Sequence, residues 1–579
     1  MSYGLDMQTI QMNILDYLSK NKFVIPEYQR PYTWTDKECV QLWEDITEFF
    51  KENRNENTEQ NPYFLGSVVI YPIQDKKHIV DGQQRTTTLI LLLKAMHTKL
   101  IANDNKSVQY LINKISSCIW DIDSKTGQPN SQKPHLISYA ISDEKHQILQ
   151  NILENGLEQD EAEDNSNYEK NYRYFCKQLD KFAEGRPADF QDLCVCILES
   201  CIVLSVECGG QDEKRRLEYA LRVFNTLNNR GTPLNDADIF KSVIYSNKSP
   251  QERQAFMEQW KDLEQLESNT QKAEGLTFLF RLCMHVLRAR DKNKSREIGL
   301  RPFFLEKKRD LLKDGSIMQD IEKMRKYLYG NKESHNYSLK SKQFIHVLEV
   351  LDNEYWRYLD GVYYAYCLEK NKDYFEGHGE FLMRVCAHFL IHTISKNTSQ
   401  IKDLTYNAYT SLYQNGSVNF SQNSRNILEG VIPAKGKKKE QTFRAYFEDA
   451  QKSPKLAKTL LTLHMYLKYP DQETEVCNKP EIEHIFSKKW QPNYPKLPDK
   501  ETHILVESIG NKIFLEKKLN IKASNGYFDA KKNQYAKSKF LEAKDLAKLS
   551  KSNWSLEDIK ARTEEIYKRL YAFFKEYAV

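Results

Sequence analysis

The sequence predicts a multidomain protein, mainly α-helical, with α+β parts toward its two ends. Three observations carry that prediction. The 579 residues exceed what one hydrophobic core organises, since domains usually run to about 100–200 residues. Toward the N-terminus, YFLGSVVIYPI and then HIVDGQQRTTTLILLLKAMHTKL read as strands, a tight Asp-Gly turn and a long apolar helix. Toward the C-terminus, EIEHIF, a Pro-rich loop, IGNKIFLEKKLN and a Lys- and Asn-rich amphipathic stretch ending at Phe540 read as a β-hairpin followed by a helix. Between these ends, residues from about 246 to 430 are rich in Leu, Tyr and charge with few breakers, which predicts a helical domain without identifiable chemistry. The expected boundaries are 1–245, 246–433 and 434–579.

Composition narrows the class. A hydrophobic share of 40% and a charged share of 28% belong to a globular chain rather than a disordered one. The formal charge of +5 is too small for a protein that is a nucleic-acid-binding polycation throughout, so charge has to be read locally. The 34 Tyr and 27 Phe suit packed helices and base stacking equally and decide nothing alone. No run approaches the length of an apolar span, and MSYGLDMQTIQMNILDYL lacks the basic start and apolar core of a signal peptide; a cytoplasmic protein without membrane partners is expected. The eleven Cys include no C-x-x-C pair. Cys194, Cys196, Cys201 and Cys208 sit in the apolar run LCVCILESCIVLSVEC, where buried thiols are expected rather than zinc ligands.

In the first element, Pro26 and Pro31 make FVIPEYQRPYTW an extended entry, and YFLGSVVIYPI is suited to a buried strand. The DGQQR turn then places a helix N-terminus beside Gly82. Gly82 lets backbone approach a phosphate, Arg85 pairs with phosphate oxygens bidentately, and the helix beginning near Thr86 favours negative charge. Asp81 is suited to holding Mg²⁺ or a water, and Gln83 and Gln84 to orienting water or binding a sugar or base. No Walker-type loop is present, so any nucleotide is held by another architecture. Tyr28, Tyr32 and Trp34 alternate with Gln29 and Arg30; this pattern reads either as a nucleic-acid contact or as a buried aromatic edge supporting the pocket. Residues from about 106 to 188 look polar and helical, with an acidic loop LEQDEAEDNSN. RRLEYALRVFNTLNNRGTPLNDADIFKSVIY follows, with a helix to Leu227, a Gly-Thr-Pro break and a new helix capped by Asn235 or Asp236. AKGKKKEQ at 434–441 is a basic linker or a DNA-backbone contact.

In the C-terminal element, His484 ends the first predicted strand. A neutral imidazole there has the pKa to deprotonate water near pH 7. Glu483 and Asn520 are candidate metal ligands, Asn525 is the next candidate, and Asn511, after Gly510, is placed to orient the His ring. Carboxylate and amide oxygens suit Mg²⁺ or Mn²⁺ better than a closed zinc site. From Lys479 to Lys548 there are 15 Lys and no Arg against 9 acidic residues, a local excess of six. Lys488, Lys531 and Lys532 are the candidate phosphate contacts, although a solvated face accounts for most individual Lys.

The ordered set IPEYQRPYTW, FLGSVVIY, IVDGQQRTTTL and VFNTLNNRGTPLNDADIFK resembles the N-terminal domain of GmrSD-like restriction proteins over roughly the first 245 residues. That resemblance implies a fold related to ParB and sulfiredoxin, nucleotide hydrolysis, and a pocket shared by Gln29, Arg30, Asp81, Gly82, Gln83, Gln84 and Arg85 with Asn228, Arg230 and Asp238. EIEHIF, GNKIFL, LN, SNGYFDAKKNQY and the late Trp554 to Arg562 segment are similar to the HNH-type (His-Me finger, ββα-metal) nuclease domain that ends these proteins, over about the last 140 residues. Ser487 stands where the family often has Pro, and Glu483 where it often has Asp. The resemblance implies a type IV restriction enzyme that cuts modified foreign double-stranded DNA with Mg²⁺ or Mn²⁺ under control of a nucleoside triphosphate such as GTP or ATP; a homo-oligomer is left open. The alternative is a non-cleaving, ParB-like DNA-binding regulator with a degenerate nuclease domain, for which Ser487 is the sequence support.

Overall fold

The computed structural model describes residues 7–53, 62–102, 106–140, 146–157, 166–227, 236–268, 275–330, 337–420, 422–430, 442–475, 480–487 and 500–578. The chain forms two compact units, Met1–Thr277 with Gly299–Ile317, and Phe278–Ile298 with Met318–Val579. Both are mostly helical, and a mixed sheet lies in the first.

The strands of the first unit are β1 (Met7–Asn13), β2 (Phe23–Ile25), β3 (Tyr63–Ile73), β4 (Lys76–Asp81), β5 (Trp120–Ile122), β6 (Pro129–Pro134), β7 (Leu136–Ser138) and β8 (Cys201–Cys208). Six of them form one sheet in the order β1-β8-β3-β4-β2-β7, and β5 pairs with β6 in a separate antiparallel ribbon. The apolar run predicted as a strand is the whole of β3, parallel to β8 and antiparallel to β4. β8 carries Cys201 and Cys208 as buried thiols outside any disulfide, and on the preceding helix Phe190–Glu199 Cys194 is buried and Cys196 half-buried. The region expected to be only helical between 106 and 188 also contains β5, β6 and β7. QPNSQKP shows no apolar alternation because β6 sits in a two-stranded ribbon, where polar and Pro residues are tolerated.

Behind the sheet runs the helix Gln83–Ile101. The three Thr of its first turns are poor helix formers, but each turn of the rest buries Leu, Ile or Met on every side, as a fully enclosed helix must. Leu89 to Leu93 are essentially inaccessible, each contributing roughly 1.5–3 kcal/mol of burial. Two of the Thr hydroxyls are partnered inside, Thr86 with Tyr17 at 2.9 Å and Thr88 with Tyr32 at 2.7 Å.

The second unit is built on long helices, including Leu276–Arg290, Leu339–Leu351, His378–Ile394, Pro454–Lys468 and the terminal Leu556–Tyr577. Among its described residues the strands are β9 (Glu481–His484) and β10 (Lys512–Leu515), which pair antiparallel with His484 opposite Lys512 and Glu483 opposite Ile513. The hairpin expected from sequence is thus present, with the helix Lys500–Val506 inside its long connection. The helices Lys517–Ala523 and Phe528–Tyr535 follow β10. The 434–441 linker lies outside the described residues. No helix among the described residues is long and apolar enough to cross a membrane.

Candidate functional site

In the first unit, β4 ends on Asp81 and the backbone turns at Gly82 into the helix. Gly82 has φ +90°, and a Cβ there would stand 2.8 Å from Val68 Cγ2, so both conformation and space demand glycine. Burial pushes the Asp81 carboxyl above its ordinary range, opposed by the Gly82 N–H and by the Arg85 and Arg30 charges, which gathers these four groups at one turn. Arg85 Nη1 donates to Ser67 O at 2.9 Å, which aims the half-buried guanidinium along β3.

The glutamines do something that the sequence concealed. Gln84 is buried; its Oε1 accepts from Thr33 N at 2.8 Å and Trp34 N at 3.2 Å, and its Nε2 donates to Pro31 O at 3.0 Å. Gln83 Nε2 donates to Arg30 O at 3.3 Å, and Gln29 Nε2 donates to Val80 O at 2.9 Å. All three amides tie the EYQRPYTW loop to the DGQQR turn through backbone partners. Tyr28 and Tyr32 are buried, Tyr28 against Tyr245 with ring centroids 5.3 Å apart and Tyr32 stacked on Tyr168 at 4.8 Å. A base cannot stack on either ring without opening this packing; Trp34 is half-buried against the same core. Asp238 lies half-buried on the helix Asp236–Asn247, which is held beside the loop by Tyr245 donating to Glu27 at 2.8 Å. Asn228 and Arg230 lie outside the described residues.

In the second unit, strand alternation sends Ile482 and His484 to one side of β9 and Glu483 to the other. Two cavities meet at His484. One, of about 240 Å³, is lined by Glu483, His484, Ser487, Asn520, Asn525 and Lys531, so the sequence candidates Glu483, His484 and Asn520 share one space. The other is a groove of about 870 Å³ whose walls carry Arg444, Lys452, Lys512, Lys560, His503 and Glu507 beside His484. His484 Nε2 is 3.3 Å from Glu507 Oε2, and Lys512 Nζ is 3.3 Å from the same oxygen.

Asn511 is completely buried and does not hold the His ring as expected. Its Nδ2 donates to Phe486 O at 2.9 Å and Val506 O at 2.8 Å, while Oδ1 accepts from Phe486 N at 2.7 Å. The amide therefore fixes the backbone directly after His484. Ser487 uses the hydroxyl that a Pro would lack: it donates to Gly526 O at 2.9 Å and ties the end of β9 to the loop next to Asn525.

The Lys candidates separate. Lys531 is 1% exposed, pairs with Glu483 Oε1 at 2.7 Å and donates to His484 O at 2.6 Å; Tyr535 adds a bond to Glu483 at 2.9 Å. Burial pulls the Lys531 ammonium below its ordinary value while Glu483 opposes that. A lysine so enclosed reaches no phosphate. Lys532 is held by Lys551 O at 2.8 Å and Asp529 at 2.8 Å, and Lys488 lies outside the described residues. Of the cations that line the groove, Arg444, Lys452 and Lys560 fall outside the Lys-rich window counted from sequence, and Lys512 falls inside it. Glu507 was missed too, because only the fold brings it back to His484 across the Pro-rich connection.

Two comparisons bear on this pair of sites. Residues 14–245 match the family described as GmrSD restriction endonuclease, N-terminal domain, and residues 437–569 match GmrSD restriction endonucleases, C-terminal domain. No curated protein matches the chain by sequence. The matched segments carry the Asp81 turn and the His484 site respectively, and they define a restriction endonuclease of type IV character with DNA as its partner. The chain belongs to the GmrSD restriction endonuclease family.

Proposed function

We propose that this chain is a nucleotide-regulated, divalent-metal-dependent endonuclease of HNH (His-Me finger) type that acts on modified foreign DNA, with its cutting centre at His484 and a ParB/sulfiredoxin-like nucleotide site at Asp81 to Arg85. The observation that carries it is the position of His484, on the wall shared by an oxygen-rich cavity and a cation-lined groove. A duplex in the groove meets Arg444, Lys452, Lys512 and Lys560 as phosphate partners that read no sequence.

In the tautomer that donates Nε2–H to Glu507, Nδ1 carries the lone pair that takes a proton from the attacking water. Asn511 holds the peptide after His484 so that the ring does not swing with the loop. The donor set of the small cavity, a carboxylate from Glu483 and amides from Asn520 and Asn525, fits a hard divalent cation that keeps several waters. When bound, such an ion supplies charge stabilisation for the pentavalent phosphate and the departing oxygen. Lys531 and Tyr535 hold the Glu483 carboxylate in place at the wall of this cavity.

In the first unit, the exposed Arg30, the Arg85 guanidinium and the N–H groups at the start of Gln83–Ile101 provide positive charge around Asp81, the pattern that takes a triphosphate tail. Plasmid and modified phage DNA, each with Mg²⁺ or Mn²⁺ and with or without GTP or ATP, test the whole reading. Cleavage that needs metal and responds to nucleotide supports it; binding without cleavage under every condition replaces it with a non-cutting regulator.

A further inference from the structure

Arg562 lies on the terminal helix Leu556–Tyr577, 6% exposed, and its guanidinium is divided between the turn that carries Asn511 and the carboxylate of Glu542. Nη1 donates to the carbonyls of Ile509 at 3.2 Å, Gly510 at 2.9 Å and Lys512 at 2.9 Å. Nη2 donates to Glu542 Oε1 at 2.7 Å, and that buried carboxylate also meets His464 Nε2 at 3.3 Å. Three carbonyls converging on one side chain is an unusual demand on backbone shape. Nη1 shares its two hydrogens among the three carbonyls while Nη2 reaches Glu542, and a lysine ammonium, whose three donors sit on one atom, does not span both sets.

The same helix presses on the turn from beside Arg562. A Cβ on Gly510 would stand 2.2 Å from Ile559 O and from Thr563 Oγ1, and Ser508 Oγ is 3.3 Å from Thr563 Oγ1. Ile559, Arg562 and Thr563 occupy i, i+3 and i+4, one face of the helix. That face shapes residues 508–512 as a template, and Asn511 points from the turn to clamp Phe486, two residues beyond His484.

We propose that Arg562 is a positioning residue of the nuclease centre: anchored by Glu542, it sets the Ile509–Lys512 turn, and through Asn511 it fixes the peptide that follows His484. The proposal rests on His484 being the cutting residue, and its test includes a readout that does not need cutting. The full chain is prepared as wild type, Arg562→Lys and Glu542→Gln, the last leaving Arg562 in place with a neutral acceptor where its charged anchor stood. For each variant that retains the wild-type near-ultraviolet circular dichroism, three quantities are measured well below its unfolding temperature: single-turnover cleavage at saturating DNA, the DNA Kd, and the ring resonances of His484 in ¹⁵N-histidine-labelled protein, assigned with His484→Ala. Displacement of a reacting group by about 1 Å costs about 100-fold, so the Arg562→Lys rate falls by about that factor while Kd stays within about twofold. The His484 resonances move in both variants. Should Arg562→Lys fail to fold, Glu542→Gln carries the test with the same signs and a loss of about tenfold or more. Unmoved His484 resonances in a folded variant, or a rate within about threefold of wild type, overturn the positioning role and leave Arg562 a packing residue. Wild type that cuts nothing overturns the reading of His484 instead, and the resonance comparison still decides whether Arg562 controls its geometry.

Discussion

At the scale of single residues, the two sites differ in how far their chemistry can be read from sequence. EIEH and DGQQR announce a base, a carboxylate, a turn glycine and a cation at short spacing, and His484, Glu483 and Asn520 do share one cavity. What an amide is bonded to leaves no mark in the string: Gln84 reads the same whether it meets a ribose or the Thr33 and Trp34 N–H groups. Gln84→Ala therefore leaves the Thr33 and Trp34 N–H groups and the Pro31 carbonyl, all part-buried, without their partner, and it lowers the stability of the first unit by about 0.5–1.5 kcal/mol. Denaturant unfolding checks this, and an unchanged midpoint would place Gln84 with the ligand contacts instead. Glu507 is half-exposed, so its hold on His484 is screened; Glu507→Ala should slow single-turnover cleavage by about tenfold, with Glu507→Gln, which keeps an acceptor, closer to wild type. Equal loss in both variants would mean that the charge, not the hydrogen bond, is what His484 needs.

At the scale of elements, legibility follows burial and partner distance. β3 and the helix Gln83–Ile101 are legible because each is apolar in a pattern that only one environment accepts. β5, β6 and β7 are not, because short or edge strands need no apolar repeat and β7 is held by its parallel neighbour β2. Gly82 marks the junction on which the first site depends. Gly82→Ala forces a side chain into left-handed backbone and against Val68, a strain of about 1–3 kcal/mol. Triphosphate hydrolysis should be lost while His484-dependent cutting of DNA in the absence of nucleotide persists. Loss of both in a folded protein contradicts a site confined to the turn.

At the scale of the whole molecule, the second unit carries a pH liability visible only in three dimensions. Burial lowers His285 to about 3, helped by the Arg288, Arg281 and Lys402 charges, and lowers His388 to about 3, helped by Arg384 and His392. Both are neutral when folded and take protons once unfolded. Their stabilisation is complete above the unfolded value of about 6.5 and is lost as pH falls toward the folded value, at about 1.4 kcal/mol per pH unit for each group. Denaturant unfolding at pH 7.5 and 5.5 should show a clear loss at the lower pH that is reduced in His285→Phe, which keeps the ring stacked on Tyr358. A flat profile between those values removes the buried histidines as its cause.

The two family segments carry the Asp81 turn and the His484 site, and the central claim is that DNA is cut at the second. The most direct measurement is cleavage of modified phage DNA with Mg²⁺ or Mn²⁺ by wild type, His484→Ala and Arg85→Ala, with triphosphate hydrolysis followed in the same reactions. The account predicts that His484→Ala binds DNA and hydrolyses nucleotide but does not cut, and that Arg85→Ala binds nucleotide about one to two decades more weakly and changes only the nucleotide response of cutting. Cleavage by His484→Ala at the wild-type rate would contradict it.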